Sequence, residues 1–191
     1  MKVKISAAIL FFIALSAAHF AWGGGAATYV ENGYFSVKIP AGWVKEDHPF
    51  GLSQEEKKVF GASFLCSAGG DGVAPRISAH YYAEGNLLHR SAEKFIRTHA
   101  QPVLGAAEEG EIYGPVKEGK AGKGAAKVFE RETFIFMPPH SIEQKKIRLF
   151  EKFAVVEASA GFYVIKLSSP EAERARSLAA YESLLKSFRA M

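Results

Sequence analysis

The chain is poor in cysteine: Cys66 stands alone among 191 residues, so no internal disulfide can form and stability must come from a packed core. Long apolar runs are scarce as well. Met1-Lys2-Val3-Lys4 leads into an uncharged stretch, Ile5 to Ala18, that carries Ile9, Leu10, Phe11, Phe12, Ile13 and Leu15, and His19 to Thr28 is then small and rich in Gly and Ala. About 14 strongly apolar residues fall short of the roughly 20 that a spanning helix needs. A positive start, a short apolar run and small residues at Ser16/Ala18, Gly24/Ala26 and Gly25/Ala27 are the parts of a secretory signal peptide over residues 1–27. An uncleaved membrane anchor is the alternative. A lipid anchor would need a cysteine directly after the apolar run, and Cys66 lies far downstream. The expected location is periplasmic or secreted.

An excess of one charge is missing too. Removing Lys2 and Lys4 leaves 22 basic against 20 acidic residues, so the pI near 9.1 reflects a small surplus and does not point to nucleic acid. Residues 28–191 suit one globular domain able to bury a core without staples. No internal repeat or linker divides them.

Tyr29-Val30-Glu31, Asn32-Gly33 and Tyr34 to Ile39 read as a hairpin, with a type I′ turn expected at Asn-Gly. Pro40 ends its second strand, and Ala41-Gly42 turns the chain so that Trp43 can close a core edge. Lys45 to Lys58 reads as a loop with a turn at Asp47-His48-Pro49. Strands follow at Lys58 to Ser67 and Pro75 to Tyr82, separated by Ala68-Gly69-Gly70-Asp71-Gly72. In the first of them alternation puts Cys66 with Phe60, Ala62 and Phe64, which predicts a buried, inert thiol. A helix fits Ser91 to Gln101, capped by Ser91 and stopped by Pro102. Ile112 to Glu118, Ala126 to Met137, Lys146 to Ala158 and Phe162 to Ser168 alternate as a half-buried antiparallel meander. The last helix is expected to start at a Ser168 or Ser169 cap with Pro170 at its first position, and to bury Ala175, Leu178, Tyr181, Leu185 and Phe188.

Two blocks resemble a known family. Tyr34-Phe35-Ser36-Val37-Lys38-Ile39-Pro40-Ala41-Gly42-Trp43 is similar to the aromatic strand, Pro, small residue, Gly and Trp that open PsbP-like domains. Phe162 to Leu167 entering Ser169-Pro170, and the helix finishing Leu184-Leu185-Lys186-Ser187-Phe188, resemble that family's last strand and helix. The resemblance implies an α+β fold, an α/β/α sandwich with a mainly antiparallel twisted sheet of about six strands flanked by helices. The family includes a photosystem II extrinsic subunit, a nuclear-transport GTPase-binding factor and exported bacterial proteins of unknown role. Its members are mostly non-catalytic and bind partners through different surfaces, so fold alone names no function. The exported bacterial branch fits best.

Near misses to catalytic motifs fail on chemistry. Gly114-Pro115-Val116-Lys117-Glu118-Gly119-Lys120-Ala121 lacks the hydroxyl that a phosphate-binding loop offers Mg²⁺, loses an amide at Pro115, and lies between strands. Gly61-Ala62-Ser63-Phe64-Leu65 lacks the second glycine and the sharp turn of a hydrolase elbow. His48, His80, His89, His99 and His140 contain no H-x-x-x-H pair. His80, His89 and His99 could meet only if the helix after them folded back across their strand. No catalytic, metal or cofactor residue is assigned.

The remaining candidate surface is basic: Lys117, Lys120, Lys123 and Lys127 around three glycines, with Lys145, Lys146 and Arg148 joining them if the loops meet. Such lysines commonly guard a sheet edge, or they face an anionic partner such as headgroups, cell-wall polymer or an acidic protein. The expected function is a non-enzymatic exported binding or assembly module that recognises a protein or cell-envelope component. It would use an open sheet face or the Lys117 to Lys127 loops. A carrier of a small apolar ligand or lipid, in a pocket between sheet and helices, is the alternative. A hydrolase survives only if a histidine and two acids meet in a cleft.

Overall fold

The computed structural model describes residues 27–47, 51–66, 72–102, 105–139 and 141–191. The expected signal peptide therefore lies outside the described residues except for Ala27, as do His48, His140 and most of the glycine cluster after Cys66.

The opening hairpin forms from β1 (Thr28–Glu31) and β2 (Phe35–Lys38). Its turn differs from the expected type I′. Glu31 pairs with Phe35, which leaves three residues in the loop, and of these only Gly33 takes a positive φ, +80°. The Tyr34 N–H donates to Glu31 O at 3.0 Å, as a turn with its glycine at the third position requires. β3 (Trp43–Lys45) follows, then α1 (Gln54–Lys57) inside the segment read as a loop. Ser53 and Glu56 make a reciprocal capping box there.

β4 (Val59–Cys66) and β5 (Arg76–Ala83) pair antiparallel. α2 (Ala92–His99) starts where the sequence predicts, with Ser91 Oγ accepting from the Lys94 N–H at 3.1 Å. The meander comprises β6 (Ile112–Tyr113), β7 (Lys117–Ala121), β8 (Gly124–Met137), β9 (Lys145–Ala158) and β10 (Gly161–Pro170). A 3₁₀ turn at Glu171–Glu173 precedes α3 (Arg174–Ser187), and β11 (Arg189–Ala190) closes the order.

Among the described residues every strand pairing is antiparallel. Eight strands form the main sheet, in the order β3-β4-β5-β10-β9-β8-β6 with β7 also on β8, and β1-β2-β11 form a small second sheet. The protein is α+β and mainly antiparallel, as expected, but its main sheet has eight strands rather than about six and its helices are few. α2 lies on one face with the one-turn α1 against β4, whereas α3 shares the other face with the small sheet. The larger core lies under α3 and holds Phe35, Phe64, Ile77, Ile165, Leu167, Tyr181 and Leu184. Cys66 is buried in it beside Ala62 and Phe64, as alternation predicts, and the Arg176 guanidinium donates to its Sγ.

α3 departs from expectation at its start. Pro170 is still in β10, opposite Leu149, and the buried Ser169 hydroxyl bonds the Pro170 carbonyl and the Ser177 hydroxyl rather than capping a helix. With the start delayed, Ala175 faces solvent and Ser177, Tyr181, Leu184 and Leu185 are buried instead. Tyr181, fully buried, donates to Ile165 O at 3.3 Å.

Candidate functional site

Alternation along a strand sends successive side chains to opposite sheet faces. On β4, β5, β10 and β9 one set (Ala62, Phe64, Ile77, Ala79, Ile165, Leu167, Ala154) meets α3 and the small sheet. The other set faces α2. That helix has only eight residues, and its Ala92 and Phe95 pack on Phe129, Phe153, Val155, Phe162 and Val164. The one-turn α1 lies against β4 near Gly61 and His80, and among the described residues no helix covers the remainder of the face. There the strands β4, β5, β10, β9 and β8 line a cleft of ≈ 540 Å³ whose walls include Ser63, Ser78, Lys166, Ser168, Leu149, Ile135, Met137 and Arg76. The volume is in the range of small-molecule sites.

A buried ion triad sits between this cleft and the α2 contact. Glu151, 4% exposed, accepts from Arg131 Nε at 2.6 Å and from Lys166 Nζ at 2.5 Å. Burial by itself would raise the Glu151 pKa, but Lys166 and Arg131 outweigh it and hold the carboxyl below its ordinary value. Both cations also lie over the Phe153 ring, at 5.4 and 5.3 Å from its centroid. Arg76 at the cleft rim pairs with Glu46 at 2.7 Å.

The basic residues singled out from the sequence are all exposed, but the register divides them. Lys117, Lys120, Lys123 and Lys127 gather at the β7–β8 hairpin, where Lys127 pairs with Glu118. Lys127 stands opposite Val155, whereas Lys145 stands opposite Met137, ten residues further along β8. At the rise of a strand that is about 33 Å. The two groups therefore do not meet. Arg148 bonds Glu132 at 3.0 Å, and Lys146 lies 4.0 Å from the Phe134 ring centroid. The phosphate-loop near miss becomes a short irregular link and β7, and Ser63 of the elbow near miss is interior to β4.

α2 does fold back, bringing His99 to His89 of the loop that follows β5. His89 and His99 rings stand 5.5 Å apart, Tyr82 is 5.4 Å from His89, and His80 is 6.5 Å from Tyr82. The His99 Nδ1–H donates to Phe95 O at 2.8 Å. Among the described residues no group of three or more His, Cys, Asp or Glu is placed to hold a metal. His80 also lines a second cleft of ≈ 490 Å³ together with Glu46, Asp47 and Ser53. The Ser53 hydroxyl accepts from the Glu56 N–H as the cap of α1.

Burial holds both α2-side histidines below their ordinary pKa. Lys94 adds to the effect at His89; at His99 the Phe95 hydrogen bond opposes it, while Arg131, His89 and Lys166 reinforce it. The unfolded chain thus takes up these protons near 6.5 and the folded chain only at lower pH. The stability that the two neutral rings confer is complete above about 6.5 and is lost as pH falls towards the folded values. Amide exchange across Ala92–His99, corrected for intrinsic rates, is expected to speed up between about pH 7.5 and 5. A His99→Gln variant should flatten that change. Equal protection at both pH values in the parent protein would refute the coupling.

No family model matches the sequence, and no curated protein does. Among solved structures, the chain is similar to the solution structure of cyanobacterial PsbP (CyanoP) from Synechocystis sp. PCC 6803, with a TM-score of 0.51 and 12% identity over 93% of this chain and 99% of that one. Two crystal structures align at lower scores. LpqN, involved in cell envelope biogenesis of Mycobacterium tuberculosis, gives 0.47 at 12% identity over 89% of this chain and 87% of that one. A Bacteroides thetaiotaomicron VPI-5482 protein gives 0.48 at 12% identity over 88% of this chain, which spans 49% of that one. Among the described residues no helix is long and apolar enough to cross a membrane.

Proposed function

Starting from the PsbP-like fold of this chain, we propose that it is a non-enzymatic exported module that recognises a protein or cell-envelope component through the open half of its main sheet. One observation carries the reading: α2 and the one-turn α1 leave part of their face open, and that part forms a ≈ 540 Å³ cleft in which apolar and polar side chains from five strands converge. Binding sites combine these features, a mostly apolar concavity with a few polar groups that fix orientation. Lys145 stands opposite the cleft-lining Met137, whereas Lys146 and Arg148 alternate to the other face of the sheet. The lysines at the β7–β8 hairpin form a separate basic end, suited to an anionic surface.

A photo-cross-linking residue at Ser78, in the cleft, is compared with one at Ser183, exposed on α3, in protein exported into its own envelope. Adducts are expected from position 78 and not from position 183. Equal adducts at both positions, or none at 78, would overturn the reading. The carrier is a second reading, favoured by the apolar wall of Leu65, Leu149, Ile135 and Met137.

A further inference from the structure

The cleft has two chemically different ends. At one, Ser63, Ser78 and Lys166 stand side by side across β4, β5 and β10, and Ser168 follows Lys166 on the same face. Directly opposed residues of paired strands hold their Cβ atoms about 4.5–5.5 Å apart, so these side chains form one compact polar patch. Among the described residues none of the three hydroxyls makes a hydrogen bond, although each can donate once and accept twice. Lys166 commits one ammonium N–H to Glu151 and has two more to offer. The triad it belongs to contains two cations and one anion, a surplus of positive charge beside free donors. At the other end the lining is the apolar Leu149, Ile135 and Met137, with Lys145 opposite Met137 at its margin.

We propose that the cleft binds an amphipathic anion, its carboxylate or phosphate head on Lys166, Ser78 and Ser168 and its alkyl chain along Leu149, Ile135 and Met137. The inference rests on the reading that this cleft is the contact surface. A small oxyanion completes the hydroxyls and the ammonium with charge-assisted hydrogen bonds, the strong kind. A chain leaving water for the three apolar side chains adds the non-directional part. A neutral sugar would leave both the charge surplus and the apolar end unused, and an inorganic anion would leave the apolar end bare.

Calorimetric titration of the mature chain with four probes tests it: dodecanoate, dodecyl phosphate, dodecanol and acetate, each below its aggregation concentration. Dodecanoate or dodecyl phosphate should bind at least ten-fold more tightly than dodecanol and acetate. The tighter of the two charged amphiphiles assigns the head as that of a fatty acid or of a phospholipid. Ser78→Ala and Lys166→Gln should each weaken that probe about ten-fold, and Ile135→Gln should weaken it as well. Thermal melts run alongside, because Lys166→Gln disturbs the triad, whereas Ser78→Ala removes a hydroxyl without a protein partner. Dodecanol binding as tightly as the charged amphiphiles, or unchanged binding in a folded Ser78→Ala variant, overturns the proposal. Cross-links from position 78 without amphiphile binding refute this inference and leave the contact surface standing; absence of those cross-links refutes the contact surface itself.

Discussion

Glu151→Gln is expected to lower the unfolding free energy at pH 7 by about 3–5 kcal/mol, the usual cost of removing one partner from a buried ion cluster. The carboxylate stands between Arg131 and Lys166, which approach it to 2.6 and 2.5 Å. A neutral amide would accept less strongly from both and leave two cations facing each other over the Phe153 ring. Exchanging all three members together for apolar residues, as Arg131→Met, Glu151→Leu and Lys166→Met, should recover much of the loss, because no charge then remains to be desolvated. The pH dependence supplies an independent check. Glu151 has a folded pKa depressed below 4.5, so its contribution is present above the unfolded value and is lost as pH falls through the folded one. Urea denaturation of the parent protein between about pH 6 and 3 should show that loss, and the Gln variant should lack this component. A Gln variant within about 1 kcal/mol of the parent at pH 7 would show that the cluster does not matter to stability.

The second large effect belongs to a strand rather than a charge. Gly61 has φ +144° in the middle of β4, and a Cβ there would sit 2.1 Å from Ala79 O and 2.9 Å from His80 Cα. These are backbone atoms of the paired strand and cannot move aside as a side chain can. The Gln54 side chain grips the same residue from the other direction, its Nε2 donating to Gly61 O at 2.8 Å and its Oε1 accepting from Gly61 N–H at 3.2 Å. Gly61→Ala therefore combines an unfavourable backbone region with overpacking, about 1–3 kcal/mol each, and should cost about 3–5 kcal/mol in chemical denaturation. Gly33→Ala is the contrasting control. Its φ of +80° is also left-handed, but a Cβ there meets nothing within 4 Å, so only the backbone term of about 1–2 kcal/mol applies. Equal effects of the two substitutions would rule out the close approach of β4 and β5.

What could be read from the sequence was whatever is local and periodic. Ser91 before an apolar stripe located the start of α2 within a residue, and strict alternation located β8, β9 and β10. α1, with its Ser53 and Glu56 capping box, was read as loop because a helix of one turn has no periodicity to reveal it. Pro170 misled because two roles suit it, the first residue of a helix and the last residue of a strand. Pairing with Leu149 decides for the strand, and the helical face turns from Ala175 to Ser177. The cleft was illegible for a different reason. Ser63, Ser78 and Lys166 become neighbours only through two strand registers, and the cleft exists only because α2 stops short of them. Register also answers whether the two basic groups meet: Lys127 and the partner of Lys145 lie ten residues apart along the fourteen-residue β8.

β10 also decides when the molecule can come together. On one side of it lie β3, β4 and β5; on the other, β9 and β8 follow as hairpins of near neighbours. The seam between β5 and β10 joins Arg76–Ala83 to Gly161–Pro170, closing a loop of about eighty residues whose entropy must be lost before the joint contacts form. Either half can begin to pair as soon as it is synthesised, but the core beneath α3 draws on both and must wait for the seam. Domains dominated by such distant contacts fold slowly.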